Sequence, residues 1–301
     1  MTNALRIVAA MILFSLADPL AAQEASSPGE IIEKSPADAW RSIPAENLLV
    51  GTLMSGDHVV IELAPQFAPR HVENVRSLAL AGWWDGTAIN RVQDNFVVQW
   101  GGATIELPPP AGVPTTLPAE YEIQSGAPMT KITEVHDASS ASSGFVDGWP
   151  VSEYAGKLAP VHCYGTLGAG RENPPDTGWG SELYVVIGQP PRQLDRNMAV
   201  VGRVVEGMEF LSGLPRGRGA GGELASDQAP ARWRSLVRAD RLPARERPSF
   251  EFLDTASPTF ARYATARTTY RNPFYLTPPG MVDICSVPVP VRRRETAGPN
   301  R

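Results

Sequence analysis

One strand-like segment, residues 89–102 (INRVQDNFVVQWGG), constrains the fold of this chain more than any other. In an extended chain, successive side chains leave opposite faces. Val97 and Gln99 would therefore share one face of a strand. Val98 and Trp100, whose side chains are apolar, would share the other face. The segment thus predicts a strand with two chemically different faces, closed by a pair of glycines.

The flanking segments predict a β-rich domain with two short helices. Two apolar runs, 48–53 and 58–63, are separated by MSGD and are typical of a hairpin. A helix is predicted from Pro69, which suits a first helical turn, to Gly82, because apolar residues recur between them at helical spacing. Further strands are predicted at 162–167, 183–187, 199–205 and 233–239, and a second helix at 206–214.

The first residues are typical of an export signal. Arg6 precedes an almost unbroken apolar run over 7–16, and small residues lead to a predicted cleavage after Ala22. The apolar run is too short to span a bilayer comfortably. The alternative is an uncleaved anchor. We expect a periplasmic or otherwise exported protein, with a Ser/Pro/Glu-rich linker over 23–40 and no stable membrane span after cleavage.

Composition indicates one well-buried domain with additions: 301 residues, 43% hydrophobic and 20% charged. The formal net charge is 27 − 32 = −5, so nucleic-acid binding, which usually needs a basic face, is not expected. The four histidines lack ligand-like spacing, and neither a metal nor a cofactor is expected. Cys163 and Cys285 would either pair in an oxidising compartment or remain two buried thiols.

Two long segments interrupt or follow the predicted domain, which covers 41–242. Residues 103–160 contain a triple proline and a Ser/Ala-rich run over 137–144, and we interpret them as a long irregular insertion with a mobile loop. Residues 243–301 are rich in arginine and aromatic residues, a mixture that can indicate nucleic-acid binding. In an acidic exported chain we interpret them as an extension that packs on the domain.

The glycine-rich run over 217–222 formally fits the G-x-G-x-x-G pattern of dinucleotide sites. In such sites the pattern follows a strand and opens a helix. Here it follows a predicted helix, and no helix obviously begins after it. Dinucleotide binding is therefore not expected. Residues 178–181 do not fit G-x-S-x-G, and the sequence suggests no catalytic triad.

Four blocks of sequence, in the family's order, resemble the cyclophilins, which are peptidyl-prolyl cis-trans isomerases. The blocks are 68–75 (APRHVENV), 91–102 (RVQDNFVVQWGG), 178–184 (GWGSELY) and 194–208 (LDRNMAVVGRVVEGM). The resemblance covers roughly 48–240. It implies a mainly β fold, a closed eight-stranded antiparallel barrel capped by two helices, here with a C-terminal appendage. We expect a monomer.

The resemblance also implies three catalytic residues. Arg91 matches the family's catalytic arginine, whose planar fork can stabilise an amide twisted about its C–N bond. Phe96 would form the floor of a proline pocket. Gln99 would bind the substrate backbone and help to orient Arg91. The implied reaction is rotation about X–Pro bonds in proline-containing segments of unfolded or exported proteins, and it needs neither a nucleophile nor a metal because no bond is broken.

Six further residues are expected to bind substrate by the same resemblance: Val97, Arg171, Glu182, Tyr184, Leu194 and Met198. Several positions depart from the family pattern. Glu182 replaces its usual glutamine, Met198 its pocket histidine, and Gln193 the tryptophan of eukaryotic members. Arg171 aligns near the asparagine that usually anchors the substrate backbone. Glu182 is expected either to hold the Arg91 guanidinium or to compete for it.

Two other functions stay open at this point. The altered pocket could serve a non-catalytic module that binds proline segments, as a chaperone or scaffold does. The C-terminal segment could instead dock a partner in envelope assembly. The first alternative differs from the enzyme in whether Arg91 affects turnover or only affinity. The second predicts that truncation after Leu242 abolishes partner binding and spares isomerisation.

Overall fold

The computed structural model describes residues 26–102, 105–124, 126, 128–272 and 274–294, so the predicted signal segment lies outside the described residues. The strands are β1 (Trp40–Ser42), β2 (Leu48–Leu53), β3 (His58–Leu63), β4 (Ile89–Val92), β5 (Val97–Gly101), β6 (Ile123–Gln124), β7 (Val135–His136), β8 (Ser142–Val146), β9 (Trp149–Tyr154), β10 (Lys157–Pro160), β11 (Thr166–Ala169), β12 (Glu182–Val186), β13 (Val200–Glu206), β14 (Trp233–Arg238), β15 (Phe250–Leu253), β16 (Val282–Asp283) and β17 (Val291–Arg293). The α-helices are α1 (Pro28–Glu33), α2 (Pro69–Leu80), α3 (Met208–Ser212) and α4 (Pro258–Thr269).

Eight antiparallel strands form the main sheet, in the order β14-β2-β3-β13-β11-β12-β5-β4. The predicted hairpin is confirmed as β2 and β3, and the predicted strands at β12, β13 and β14 are confirmed to within a residue. The strand predicted over 162–167 begins only at Thr166. It starts late because the preceding residues form tight turns, with the N–H of Thr166 donating to the carbonyl of Cys163.

The main sheet is curled and open, so the predicted closed barrel is not what the structure shows. β14 and β4 are its two edge strands. The chain just before β4 approaches β14: the N–H of Gly86 donates to the carbonyl of Trp233 (2.8 Å), and the N–H of Trp233 donates to the carbonyl of Thr87 (3.0 Å). Strand twist and register shifts within the pairings of β13 and β14 account for the curl.

Both predicted helices are present. Helix α2 begins at Pro69 and buries Val72, Val75 and Leu78 in the main core, as the helical spacing predicts. Helix α3 is shorter than predicted, because β13 extends to Glu206 and Gly207 follows with φ 85°, a conformation that interrupts a helix. None of the helices in the described part of the chain has the length and apolar character needed to cross a bilayer.

The insertion over 103–160 is more regular than predicted. β6, β10, β9 and β8 form a second sheet in that order. The loop predicted over 137–144 is shorter than expected, because Ser142 begins β8, and Asp137 at its start is buried. The polar side chains there have partners within the protein: the hydroxyl of Ser140 lies 2.8 Å from the carbonyl of Ser142 and 2.9 Å from that of Glu153, and Asp137 pairs with Arg192.

The two ends of the described chain share a third sheet, in the order β1-β15-β17. The predicted linker over 23–40 contains helix α1, whose N-terminus is capped by reciprocal hydrogen bonds between Ser27 and Glu30. Ile31 and Ile32 of α1 pack against the apolar cluster that contains Phe260 of α4. Residues 26–40 therefore contact the folded body and are not simply an extended tether.

Cys163 and Cys285 form a disulfide at a sequence separation of 122. The alternative of two buried thiols is therefore wrong. The bond joins the turn before β11 to the 3-10 turn Ile284–Ser286 in the C-terminal segment. The same segment contacts the fold elsewhere, since the hydroxyl of Tyr263 in α4 donates to the carbonyl of Pro288.

Candidate active site

The nine predicted site residues all border one pocket of about 130 Å³ on the main sheet. Its lining consists of Arg91, Phe96, Val97, Gln99, Gly170, Arg171, Glu182, Tyr184, Leu194 and Met198. They come from β4, β5 and β12, which are neighbours in the sheet, and from the chain just before β5, just after β11 and just before β13. The fold thus brings together residues that are up to 107 positions apart (198 − 91).

Strand β5 supplies the pocket with one face and the core with the other. Val98 and Trp100 are fully buried in the main core, as the alternation predicts. Val97 and Gln99 point to the opposite face and border the pocket. Strand β12 pairs antiparallel with β5 and places Tyr184 opposite Gln99. The same period-two rule therefore puts side chains of both strands into one site.

An apolar cluster forms the floor and one wall of the pocket. Val97 and Tyr184 are buried in it, and Phe96, Leu194 and Met198 pack against it while staying partly exposed. The turn Arg192–Leu194 positions the last two, since the N–H of Met198 donates to the carbonyl of Leu194 at 3.1 Å. This side of the pocket can accept a small apolar ring.

A hydrogen-bonded row of polar side chains forms the other side. Nη1 of Arg91 donates to Oε1 of Gln99 at 3.1 Å. Nε2 of Gln99 in turn donates to Oε1 of Glu182. The sequence predicted that Glu182 either holds or competes for the guanidinium. Instead, Gln99 lies between Glu182 and Arg91 and forms a hydrogen bond with each of them.

The guanidinium of Arg91 is held by two further contacts. Nε donates to the carbonyl of Gly221 at 2.6 Å, and Nη2 donates to Oε1 of Gln93. Its central carbon lies 5.6 Å from the centre of the Phe96 ring. Bonds to the described residues thus engage three of the five N–H groups, which leaves 5 − 3 = 2 in a fixed planar fork beside the pocket.

The glycine-rich run over 217–222 lies against Arg91 and against the hairpin that β4 and β5 form. A Cβ on Gly222, which has φ 81°, would stand 2.4 Å from the Cα of Gln93. A Cβ on Gly217 would stand 2.0 Å from the carbonyl oxygen of Gly222. Glycine is therefore required by the close approach of two backbones, and that approach presents the Gly221 carbonyl to Arg91.

Arg171 borders the pocket from the chain that follows β11. Its Nε donates to the carbonyl of Asn197 at 2.9 Å, and its Nη1 donates to the carbonyl of Glu172 at 2.7 Å. The guanidinium also lies 6.0 Å from the centre of the Tyr121 ring. A cation therefore stands near the position where the resemblance implies a neutral asparagine.

Sequence reasoning missed a buried histidine behind the pocket. His162 is fully buried; its Nε2 lies 2.9 Å from Oη of Tyr184, and its Nδ1 lies 2.8 Å from Oδ1 of Asp195. Burial, with a smaller effect from the Asp195 carboxylate, raises the pKa of the Tyr184 hydroxyl well above its ordinary value. Two features of the sequence could have indicated this cluster. Asp195 follows Leu194 in the block 194–208, and a buried tyrosine needs a hydrogen-bond partner for its hydroxyl.

The chemistry of the pocket is that of a positioned cation beside an apolar cavity. Arg91 can donate to a carbonyl oxygen or an electron-rich nitrogen, and the apolar floor can hold a ring next to it. Within the described residues, no group of three or more His, Cys, Asp or Glu side chains lies close enough together to hold a metal ion. The arrangement suits stabilisation of a strained, polar state of a bound peptide.

Comparisons with known proteins show which family the chain resembles. The family model described as cyclophilin type peptidyl-prolyl cis-trans isomerase/CLD matches residues 50–233. Peptidyl-prolyl cis-trans isomerase B of Bacillus subtilis (strain 168) is 30% identical over 165 residues, covering 55% of this chain and 88% of that protein. A probable peptidyl-prolyl cis-trans isomerase of Brucella suis biovar 1 (strain 1330) is 26% identical over 172 residues, covering 57% and 73%.

Among solved structures, the crystal structure of cyclophilin AquaCyp293 from Hirschia baltica is similar, with a TM-score of 0.68 and 25% sequence identity. The similarity covers 84% of this chain and 93% of that one. The chain, with its curled sheet, thus has the cyclophilin fold. Because the family match spans more than half of its length, the chain belongs to the cyclophilin-type peptidyl-prolyl cis-trans isomerases, and the predicted enzyme class is confirmed.

Proposed function

We propose that this protein, acting as a monomer, isomerises X–Pro bonds in unfolded or exported proteins, with Arg91 stabilising the twisted amide. The observation that carries the proposal is the placement of the Arg91 fork, held by Gln99, beside an apolar pocket of about 130 Å³. A proline ring is small and apolar and fits such a pocket. Its amide then lies within reach of the fork.

The reaction needs selective stabilisation of one conformation. Rotation about a peptide bond has a barrier of about 18–20 kcal/mol, because the C–N bond is partly double. In the twisted state amide resonance is lost, and the prolyl nitrogen gains a lone pair that can accept a hydrogen bond. Each ~1.4 kcal/mol by which the site binds this state more tightly than the planar one raises the rate about tenfold. The two remaining N–H groups of Arg91 are suited to this.

The other pocket residues have supporting roles in the proposal. Phe96 forms the floor under the proline ring, and Val97, Tyr184, Leu194 and Met198 enclose it, all contributing apolar surface. Gln99, through the second N–H of its side-chain amide, and Arg171 donate to the backbone of the bound segment on either side of proline. Glu182 holds the amide of Gln99, so that its oxygen faces Arg91.

Export is a further part of the proposal. The apolar run over 7–16, followed by small residues up to Ala22, supports it. The disulfide between Cys163 and Cys285 supports it too, because such bonds persist mainly in oxidising compartments. Expression with residues 1–22 in place should yield an exported chain whose N-terminus is Gln23. A mature chain that still begins at Met1 would contradict export with cleavage at this site.

We also propose that the isomerase domain spans 41–242 and that 243–301 is an extension of it. The family match over 50–233 lies inside these limits. The extension shares the β1-β15-β17 sheet with the start of the domain and is bonded to it through Cys285. The domain and the extension are therefore expected to unfold together.

The experiment that tests the function measures isomerisation of a short X–Pro peptide by the mature protein. We expect acceleration by the wild type and a loss of ~10²–10³ in kcat/KM for Arg91→Ala, the effect typical of removing one such donor. Arg245→Ala is the matched control, since that side chain is 86% exposed. If the wild type binds the peptide but does not accelerate the reaction, the function is that of a proline-segment binding module.

A further inference from the structure

A row of buried polar side chains ends at the pocket residue Tyr184. The residues Tyr184, His162 and Asp195 are 3%, 0% and 5% exposed. The imidazole of His162 stands between the other two, 2.9 Å from Oη of Tyr184 and 2.8 Å from Oδ1 of Asp195. Its ring is nearly parallel to that of Tyr184, at 13°. The only part of this row that lines the pocket is Tyr184.

Asp195 fixes which nitrogen of His162 carries a hydrogen. Oδ1 of its carboxylate accepts the backbone N–H of His162 at 2.9 Å and Oδ2 accepts Nε–H of Arg192 at 2.7 Å, so both oxygens act as acceptors. Nδ1 of His162 must therefore donate to it. In the neutral ring Nε2 is then the acceptor, and the Tyr184 hydroxyl donates to it.

The row continues into the insertion, which holds Asp195 in place. Arg192 bonds Asp195 through Nε and Asp137 through both terminal nitrogens, one of them at 2.8 Å. Ser152 of β9, which is fully buried, donates to the same Asp137 carboxylate. Neither Asp137 nor Ser152 borders the pocket. Ser152 of the second sheet thus helps to hold Asp137, which through Arg192 and Asp195 helps to fix the position of His162.

The Tyr184 hydroxyl packs tightly against strand β11. A Cβ on Gly168 would stand 2.2 Å from Oη of Tyr184, so the ring end lies directly on the backbone of β11. A buried hydroxyl without a partner is costly, and one that faces a ligand site would retain a water molecule there. Either would oppose the entry of an apolar ring.

We infer that His162 is a positioning residue of this active site. It binds the Tyr184 hydroxyl inside the protein, so that a proline ring meets the aromatic ring of Tyr184 and no unpaired polar atom. The inference rests on the proposed function, because it assigns His162 a part in proline binding. Arg91 keeps its own contacts in this account, so His162 affects affinity and not the rotation step.

The test is a double-variant cycle of His162→Leu and Tyr184→Phe, measuring Kd by titration and kcat by isomerisation with one X–Pro peptide. His162→Leu is expected to weaken binding about tenfold, the effect of an unpaired buried hydroxyl, with kcat within about twofold of wild type. Tyr184→Phe is expected to change Kd less than about threefold, since it removes the hydroxyl itself. The double variant should then bind like Tyr184→Phe alone.

Recovery of affinity in the double variant is the result that general structural damage would not produce. Additive or worse binding in the double variant overturns the inference, as does an unchanged Kd in His162→Leu. If His162→Leu does not fold, His162→Asn takes its place, because its amide can still donate to Asp195 but no longer reaches the Tyr184 hydroxyl. His162→Gln, which can reach the Tyr184 hydroxyl, should bind more tightly than His162→Asn, and equal affinities would count against the inference.

The two proposals fail in different ways. A wild-type protein that isomerises the peptide, with a Kd that does not respond to His162, refutes the inference and leaves the function intact. A wild-type protein that binds without isomerising refutes catalysis, while the affinity cycle still decides the role of His162. A wild-type protein that does not bind proline peptides refutes both.

Discussion

Glu182 accepts a hydrogen bond from the side-chain amide of Gln99, and this contact fixes which end of that amide faces Arg91. Because the amide nitrogen is committed to the carboxylate, the amide oxygen accepts from Arg91 at 3.1 Å. A negative charge therefore stands one side chain away from the cation that we propose as the catalytic group. It orients Gln99, but it also opposes the positive potential at Arg91.

Glu182→Gln separates these two effects. The substituted amide can still accept from Gln99, while the charge is removed. We expect kcat/KM for an X–Pro peptide to rise about threefold, since Arg91 then stabilises the twisted amide against a weaker opposing field. Glu182→Ala, the comparison variant, removes the acceptor as well and should lower kcat/KM about tenfold. Equal losses in both variants would contradict this expectation, because they would show that the negative charge supports catalysis instead of opposing Arg91.

The glycine run next to Arg91 gives a second prediction. Gly222→Ala would place a Cβ 2.4 Å from the backbone of Gln93, so we expect the Arg91 hairpin to shift and kcat/KM to fall at least about tenfold. Gly56 is the matched control, because it also has positive φ (100°) but has nothing within 4 Å of an added Cβ. Gly56→Ala should lower the free energy of unfolding by about 1 kcal/mol and leave activity unchanged. Similar activities of the two variants would contradict this account of the run.

The buried pair of Asp137 and Arg192 predicts a pH dependence of stability. Burial alone would raise the pKa of Asp137, but hydrogen bonds from Arg192 and Ser152 lower it overall from its ordinary 3.8. A carboxyl whose pKa is lower in the folded state stabilises the fold above its unfolded pKa. That stabilisation is lost as the pH falls through the folded pKa. The free energy of unfolding should therefore decline as the solution is acidified below about pH 4.

Asp137→Asn tests this by urea unfolding across the acid range. We expect the free energy of unfolding at pH 7 to fall by about 3 kcal/mol, because one partner of a buried ion pair is removed, and the decline in acid to be smaller than in wild type. Asp227→Asn is the control, since Asp227 pairs with Arg218 at the surface with 69% of its side chain exposed. It should change stability by less than about 1 kcal/mol. An acid decline in Asp137→Asn as steep as in wild type would refute the assignment.

Much of the pocket could be predicted because its residues lie on regular strands. Val97 and Gln99 follow the period-two rule on β5, and Tyr184 follows it on the paired strand β12. The family resemblance then supplied which of the two faces carries the site. Arg91 and Met198 could be placed by the same blocks, and the structure brings both to the pocket.

The residues behind the pocket could not be predicted, because their contacts are distant in sequence and carry no periodic signal. His162 bonds Asp195 33 positions away, and Asp137 meets Arg192 55 positions away. The Ser/Ala-rich run around Asp137 has the composition of a loop. It forms ordered structure because its polar groups find partners within the protein. Closure of the sheet was overestimated for a similar reason, since the pairing of its edges depends on tertiary geometry.

The most direct test of the central claim is the kcat of Arg91→Lys at saturating X–Pro peptide, measured by exchange NMR beside the wild type. Lysine keeps the positive charge but lacks the planar fork that bonds Gln99 and the substrate together. We expect a kcat at least about tenfold lower with KM within about twofold, because Arg91 acts on the twisted amide and not on ground-state binding. A wild-type kcat with a raised KM would contradict it and make Arg91 a binding residue.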